Sequence, residues 1–117
     1  MSTERDPDCL FCKIAAGEIP SDKLYEDDRI LAFKDIHPQA PFHALVIPKR
    51  HIATLNDFGA EHAELAGSLM MTGRRLAAEH GLPGYRVAMN VNHEGGQVIF
   101  HAHLHVLGGR RMKGELG

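Results

Sequence analysis

The sequence predicts an α+β domain built on an antiparallel sheet. Three observations carry that expectation. Short apolar runs are joined by tight turns, one long stretch repeats its apolar residues at helical spacing, and a segment near the C-terminus alternates histidine with apolar residues. At 117 residues the chain suffices for one domain, residues 1–117, with a single hydrophobic core.

The elements follow in order. Residues 8–17, Asp8-Cys9-Leu10-Phe11-Cys12-Lys13-Ile14-Ala15-Ala16-Gly17, read as a short helix with Asp8 as N-cap and Gly17 as stop. Pro20 breaks the pattern. Extended runs at 23–26 and 29–36 flank Asp27-Asp28, a hairpin turn. A loop containing Pro38 and Pro41 leads to His43-Ala-Leu-Val-Ile47, a near-continuous apolar strand closed by Pro48. The long helix is expected from Asn56-Asp57 to Gly81, because Leu65, Leu69, Leu76 and the intervening alanines recur at three- and four-residue steps. Met70 and Met71 belong to it as packing residues, and Gly67 and Gly73 mark helix ends or close approaches. After Pro83-Gly84 come a strand over 85–91, a turn at Asn92-His93-Glu94-Gly95-Gly96, and the histidine strand.

Composition excludes several classes. The chain is 44% hydrophobic and 24% charged, which suits a globular domain and speaks against a disordered chain or a membrane span. A formal charge of −2 offers no basic field for nucleic acid, and Lys49-Arg50, Arg74-Arg75 and Arg110-Arg111 are short enough to be solvated faces. The polar opening has no apolar signal-like run, so the expected compartment is the cytoplasm. Residues 1–7 are expected to be flexible and 110–117 to form a C-terminal tail.

The chemistry concentrates in Phe100-His101-Ala102-His103-Leu104-His105-Val106-Leu107. Side chains alternate faces along a strand, so His101, His103 and His105 share one face, roughly 6 to 7 Å apart, while Ala102, Leu104 and Val106 face a core. Such a row can bind metal or phosphate, or divide nucleophile and proton-transfer roles. Gly95-Gly96-Gln97 lies just before it, where glycines would let backbone N–H groups turn toward an anion. Cys9 and Cys12 have the spacing of half a tetrahedral zinc site; a reduced thiol pair and a redox pair are the alternatives. His37, His62, His80 and His93 read as ordinary surface histidines.

With these residues in view, the chain resembles the histidine triad family, whose motif is three histidines alternating with apolar residues and followed by two more. His101-Ala-His103-Leu-His105-Val-Leu107 fits at every position. The likeness extends to Cys9-Leu-Phe-Cys12-Lys13-Ile14, Tyr25-Glu-Asp-Asp-Arg-Ile-Leu-Ala-Phe33, Asp35-Ile36, Pro38-Gln-Ala-Pro41 and Leu45-Val-Ile-Pro-Lys-Arg-His51. Leu107-Gly-Gly-Arg110 is similar to the branch of purine nucleoside phosphoramidases.

The resemblance implies a five-stranded antiparallel sheet with one long and one short helix, paired across a two-fold axis as a homodimer. It also implies hydrolysis of purine nucleoside 5′-phosphoramidates or related nucleoside monophosphate conjugates through a nucleotidyl-histidine. His103 would be the nucleophile, His105 would contact phosphate or assist the leaving group, and His101 would support the nucleophile, with His43. Asp35 would hold the ribose, Ile36 and Phe33 would lie near the base, and Asn90, Gly96 and Gln97 around phosphate and ribose. Zinc-carrying relatives imply structural Zn2+ on Cys9, Cys12, His51 and His101, with no organic cofactor. Val98 stands where phosphoramidase relatives commonly carry Ser. Two other classes remain open: a metallohydrolase chelating one metal with all three histidines, and a nucleotide-binding regulatory module with little turnover.

Overall fold

The computed structural model describes residues 5–114. The elements are α1 (Leu10–Ala15), β1 (Lys23–Glu26), β2 (Ile30–Lys34), β3 (Phe42–Pro48), α2 (Ala63–Glu79), β4 (Tyr85–Ala88) and β5 (Leu104–Gly108). The strands form one five-stranded sheet in the order β1-β2-β3-β5-β4, every neighbouring pair antiparallel. The fold class expected from the sequence is therefore the one observed. No helix among the described residues is long and apolar enough to cross a membrane.

Alternation along the strands divides the interior into two layers. Ile30 and Ala32 of β2, Ala44 and Val46 of β3, and Leu104 and Val106 of β5 pack with Leu65, Leu69 and Leu76 of α2. Leu31 and Phe33 of β2, with Leu45 and Ile47 of β3, face Cys9 and the α1 side chains Phe11, Cys12 and Ile14. The single core expected from chain length is thus a sheet covered on both faces, which is why β3 reads as an unbroken apolar run. Burying Leu65, Leu69 and Leu76 contributes about 1.5–3 kcal/mol each. At Gly73 a Cβ would stand 3.1 Å from the Val106 methyl, so the missing side chain lets α2 lie close on β5.

Local chemistry moves several boundaries. Cys9, not Asp8, caps α1: its sulfur accepts the Cys12 N–H. Gly17, at φ +79°, ends that helix as expected, with the Glu18 N–H reaching the Lys13 carbonyl. The long helix begins at Ala63 rather than near Asn56. The Thr54–Asp57 capping box starts only one 3₁₀ turn, Leu55–Asp57, before extended Phe58 packs its ring against the α2-side core. A second short turn, Ala60–His62, then leads into α2. Gly81, at φ +66°, closes α2 with Leu82 N–H to Ala77 C=O and Gly81 N–H to Ala78 C=O. β4 stops at Ala88, short of the expected 91. Only Leu104–Gly108 of the histidine segment joins the ladder, so His101 and His103 precede the strand proper. His62, expected at the surface, is 9% exposed and accepts the Gly59 N–H at Nδ1.

Of the leader and tail, residues 1–4 and 115–117 lie outside the described residues. In the described part, Arg5 pairs with Glu18, the Asp6 carbonyl accepts the Cys9 N–H, and Arg86 donates to the Lys113 carbonyl.

Candidate functional site

The side chains of His101 and His105 are ordered by groups far away in sequence, and that of His103 by the His101 carbonyl. The segment before β5 is tied to the loop after β3 by the Ala102 N–H on the Ile52 carbonyl, 2.7 Å. His101 is fully buried, with Nε2 2.7 Å from the Pro48 carbonyl. A carbonyl only accepts, so the His101 proton sits on Nε2 and the Nδ1 lone pair is free. That lone pair faces Cys9 Sγ at 3.3 Å and Cys12 Sγ at 3.6 Å, while His51 Nδ1 is 3.3 Å from Cys12 Sγ.

These four donor atoms lie within 4.8 Å of one another. In a tetrahedral zinc site, bonds of about 2.3 Å to sulfur and about 2.0–2.1 Å to nitrogen put neighbouring S and N about 3.6 Å apart, so the donor set fits the ion. Burial pushes the Cys12 thiol up to about 11, with Cys9 adding to the shift. A divalent cation would supply the positive charge that a pair of buried thiolates needs.

His103 uses the same device. Its Nδ1–H donates to the His101 carbonyl at 2.7 Å, leaving Nε2 unprotonated, and Phe11 packs edge-on against its ring at 5.0 Å. His43 and His105 are diagonal neighbours on β3 and β5, since His43 stands opposite Leu107 and His105 opposite Leu45. His43 Nδ1 accepts the Gln39 N–H at 3.0 Å, which places the His43 proton on Nε2. That nitrogen is 2.9 Å from His105 Nδ1, so His105 carries its own proton on Nε2.

The rings are neutral at pH 7. Burial pushes His101 down to about 4 against the pull of the Pro48 carbonyl. Burial, then the neighbouring His103 and His43, push His105 down to about 4. Burial also lowers His43 against Asp35, and lowers His103 against the His101 carbonyl.

His103 and His105 border a cavity of about 550 Å³. Phe11 and Ile14 of α1, Ile19 of the following loop, and Phe33 and Leu45 of the sheet give it apolar walls. Asp35 and Ile36 line it at the end of β2; Asp35 Oδ1 accepts the His37 N–H at 2.8 Å and Oδ2 lies 3.5 Å from His43 Nε2. Ile36 is 83% exposed and Val98 86%, which places two apolar side chains where a bound molecule could cover them.

Asn90 and Gly96 also line the cavity. Gln97 does not: its carbonyl oxygen accepts the Asn92 N–H and its amide donates to the Ala53 and Ile99 carbonyls, bracing the loop from beneath. Nor do the glycine-loop amides form the expected anion cradle. The N–H groups of Gly95, Gly96 and Gln97 all bond inside the turn, to Asn92, His93 and Asn92 carbonyls.

The three triad histidines do not converge on one metal. Among the described residues, clusters able to hold an ion are Cys9/Cys12/His51/His101 and Asp35/His43/His105; neither contains His103. In the second, His43 would have to offer Nε2 to a metal while Nδ1 faces an N–H donor, which leaves the neutral ring no place for its proton. Sequence reasoning missed the Gln39 amide and the cavity walls Phe11 and Ile14; helical spacing of Phe11, Ile14 and Ala15 was the available signal for the walls.

Comparisons with known proteins agree with this fold. The family described as scavenger mRNA decapping enzyme C-term binding matches residues 8–115. A purine nucleoside phosphoramidase of Escherichia coli is 48% identical over 103 residues, 86% of this chain and 87% of that protein. A HIT family hydrolase from Legionella pneumophila superposes with a TM-score of 0.92 at 53% identity, covering 94% of this chain and all of that one. A zinc-bound histidine triad family protein from Mycobacterium smegmatis superposes with a TM-score of 0.79 at 35% identity, over 94% of this chain and 80% of that chain.

Proposed function

The chain belongs to the histidine triad family of hydrolases, and from that premise we propose that it is a purine nucleoside phosphoramidase working through a nucleotidyl-histidine. One observation carries the reading: an unprotonated His103 Nε2 and a protonated His105 Nε2 border the same apolar cavity, with a carboxylate, Asp35, on its wall.

The purine lies against Phe33 and Ile36, the ribose hydroxyls bond Asp35, and Asn90 and Gly96 border the phosphate. His103 Nε2 attacks the α-phosphorus of a nucleoside 5′-phosphoramidate. A bond from phosphorus to His103 Nε2 forms as the P–N bond breaks; the neutral His105 hydrogen-bonds the departing nitrogen from its Nε2–H, and the proton that completes the free amine comes from solvent. The ring then carries positive charge, which the His101 carbonyl stabilises through the Nδ1–H. Water next attacks phosphorus, loses its proton to solvent, and displaces His103, releasing nucleoside monophosphate. His43 holds the tautomer of His105, and Gln97 acts through the loop it braces.

Zinc has a structural role in this scheme. Held by Cys9, Cys12, His51 and His101, it would supply a rigid crosslink from α1 to the segment that carries His103, and no step passes through it. The protein acts as a two-fold homodimer in the cytoplasm, where its two free thiols stay reduced. The dimer reading is supported by the outer strand β4 and by Met70, Met71 and Tyr85, which are 52%, 58% and 39% exposed.

The test is mass spectrometry of the protein after brief mixing with adenosine 5′-phosphoramidate. An adenylyl group on His103 is expected. AMP release without any adduct, through repeated sampling at low temperature, would remove the covalent route; nucleotide binding without product would point to the regulatory module.

A further inference from the structure

We propose that Arg110 and the Gln39 peptide are positioning groups that fix the tautomer of His105 from outside the cavity. The inference rests on the phosphoramidase reading for its kinetic consequence, because His105 Nε2–H is the hydrogen-bond donor to the leaving group there. Arg110 Nη2 donates to the Gln39 carbonyl at 3.1 Å. The N–H of the same residue donates to His43 Nδ1 at 3.0 Å, and His43 Nε2 lies 2.9 Å from His105 Nδ1. Three hydrogen bonds thus connect an exposed guanidinium to the ring that faces the leaving group.

The direction of this chain at the histidines is set by the Gln39 N–H. A backbone N–H cannot accept, so the alternative His43 tautomer would set N–H against N–H in a pocket where His43 is 5% exposed. With Gln39 in place, His43 Nε2–H donates a hydrogen bond to His105 Nδ1, and the His105 proton must sit on Nε2. If the Gln39 peptide drifts, His43 is free to move its proton to Nδ1. Its bare Nε2 then draws the His105 proton to Nδ1, and the side of His105 that should hydrogen-bond the amine is left without a proton.

The backbone explains why Arg110 can reach. Gly109 has φ +94°, a conformation that L side chains rarely adopt, and a Cβ there would stand 2.8 Å from Pro41 Cβ. The chain leaving β5 therefore turns tightly against the Pro38–Pro41 loop and brings Arg110 onto the Gln39 carbonyl. Charged and titratable groups facing His43 are Asp35 from the end of β2, 3.5 Å away, and His105 from β5. Asp35 favours protonated His43, whereas burial and the Gln39 N–H oppose it.

Arg110→Met removes the guanidinium at an exposed position and Arg110→Lys restores a donor; Gln39→Pro deletes the N–H itself. Two-bond 15N–1H correlation spectra of the imidazoles, which report the protonated nitrogen, are the direct readout. Wild type is expected to show His43 protonated at Nε2, and Arg110→Met a mixture of tautomers. With adenosine 5′-phosphoramidate, Arg110→Met should lose about tenfold in kcat with KM changed less than about twofold, and its acid limb should move up in pH. Lysine should recover much of the loss. Wild-type tautomers and kcat in Arg110→Met would overturn the inference, as would equal losses in the Met and Lys variants accompanied by a lower Tm. If Gln39→Pro does not fold, Arg110→Met decides. If the wild-type chain cleaves no phosphoramidate, the functional reading fails, while the spectra still decide the tautomer clamp.

Discussion

His103→Asn separates the nucleophile from the scaffold that holds it. The His103 ring is 7% exposed, donates from Nδ1 to the His101 carbonyl at 2.7 Å, and packs at 5.0 Å against both Phe11 and His105. An alanine would strand that buried carbonyl and open a void, a destabilisation of about 2–4 kcal/mol by the usual scale of core truncation. Asparagine instead places its amide nitrogen where Nδ1 was, so the carbonyl keeps a donor and only the outer part of the ring is lost. The expected destabilisation is about 1–2 kcal/mol. Turnover is another matter, since no atom of the shorter asparagine side chain can take the place of Nε2. A loss of at least about a thousandfold in kcat, about 4 kcal/mol in barrier height, is expected, with AMP affinity within about threefold of wild type. The assay pairs steady-state hydrolysis of adenosine 5′-phosphoramidate with calorimetric titration of AMP and a urea melt. More than a tenth of wild-type kcat in a folded His103→Asn protein would refute the nucleophile assignment.

Purified protein should contain about one zinc per chain, and Cys9→Ser should release it and lower Tm by several degrees while reducing kcat far less; elemental analysis and thermal melts check this. Brief chelator treatment should leave the initial rate intact, because a metal on Cys9, Cys12, His51 and His101 would hold α1 to the His101 segment and would not meet the substrate. The pH profile should be flat through neutrality, with its acid limb below the ordinary imidazole range, because burial lowers the His103 pKa and the protonated ring cannot attack. Stability should fall in the same direction: His105 has a folded pKa of about 4, so below about 6.5 the unfolded chain binds more protons, and Tm should drop as pH falls from about 6.5 toward 4. A Tm that is constant over this range would count against neutral buried imidazoles. Finally, sedimentation of wild type should give twice the 12.9 kDa chain mass, and Val91→Asp, just beyond the outer strand β4, should yield the monomer.

The sequence by itself determined the α+β class, the hairpin at Asp27-Asp28, the alternation of His101, His103 and His105 with core residues, and Cys9-Cys12 as half of a cluster able to hold a metal. Each is a local signal, because period-two alternation, Gly and Pro punctuation and ligand spacing are written in neighbouring residues. Local chemistry also misled: the Thr54–Asp57 box has the signature of a helix start, yet burial of Phe58 limits it to one turn. Only tertiary structure decided which nitrogen of His101 and His105 carries a proton. Pro48 reaches His101 from 53 residues away and His43 reaches His105 across 62, so the partners that set these two tautomers meet only when β3 and β5 pair. Tertiary structure likewise took Gln97 out of the cavity, onto the Ala53 carbonyl. Residue type states what a side chain could donate or accept; the neighbours that use those groups up are supplied by the fold.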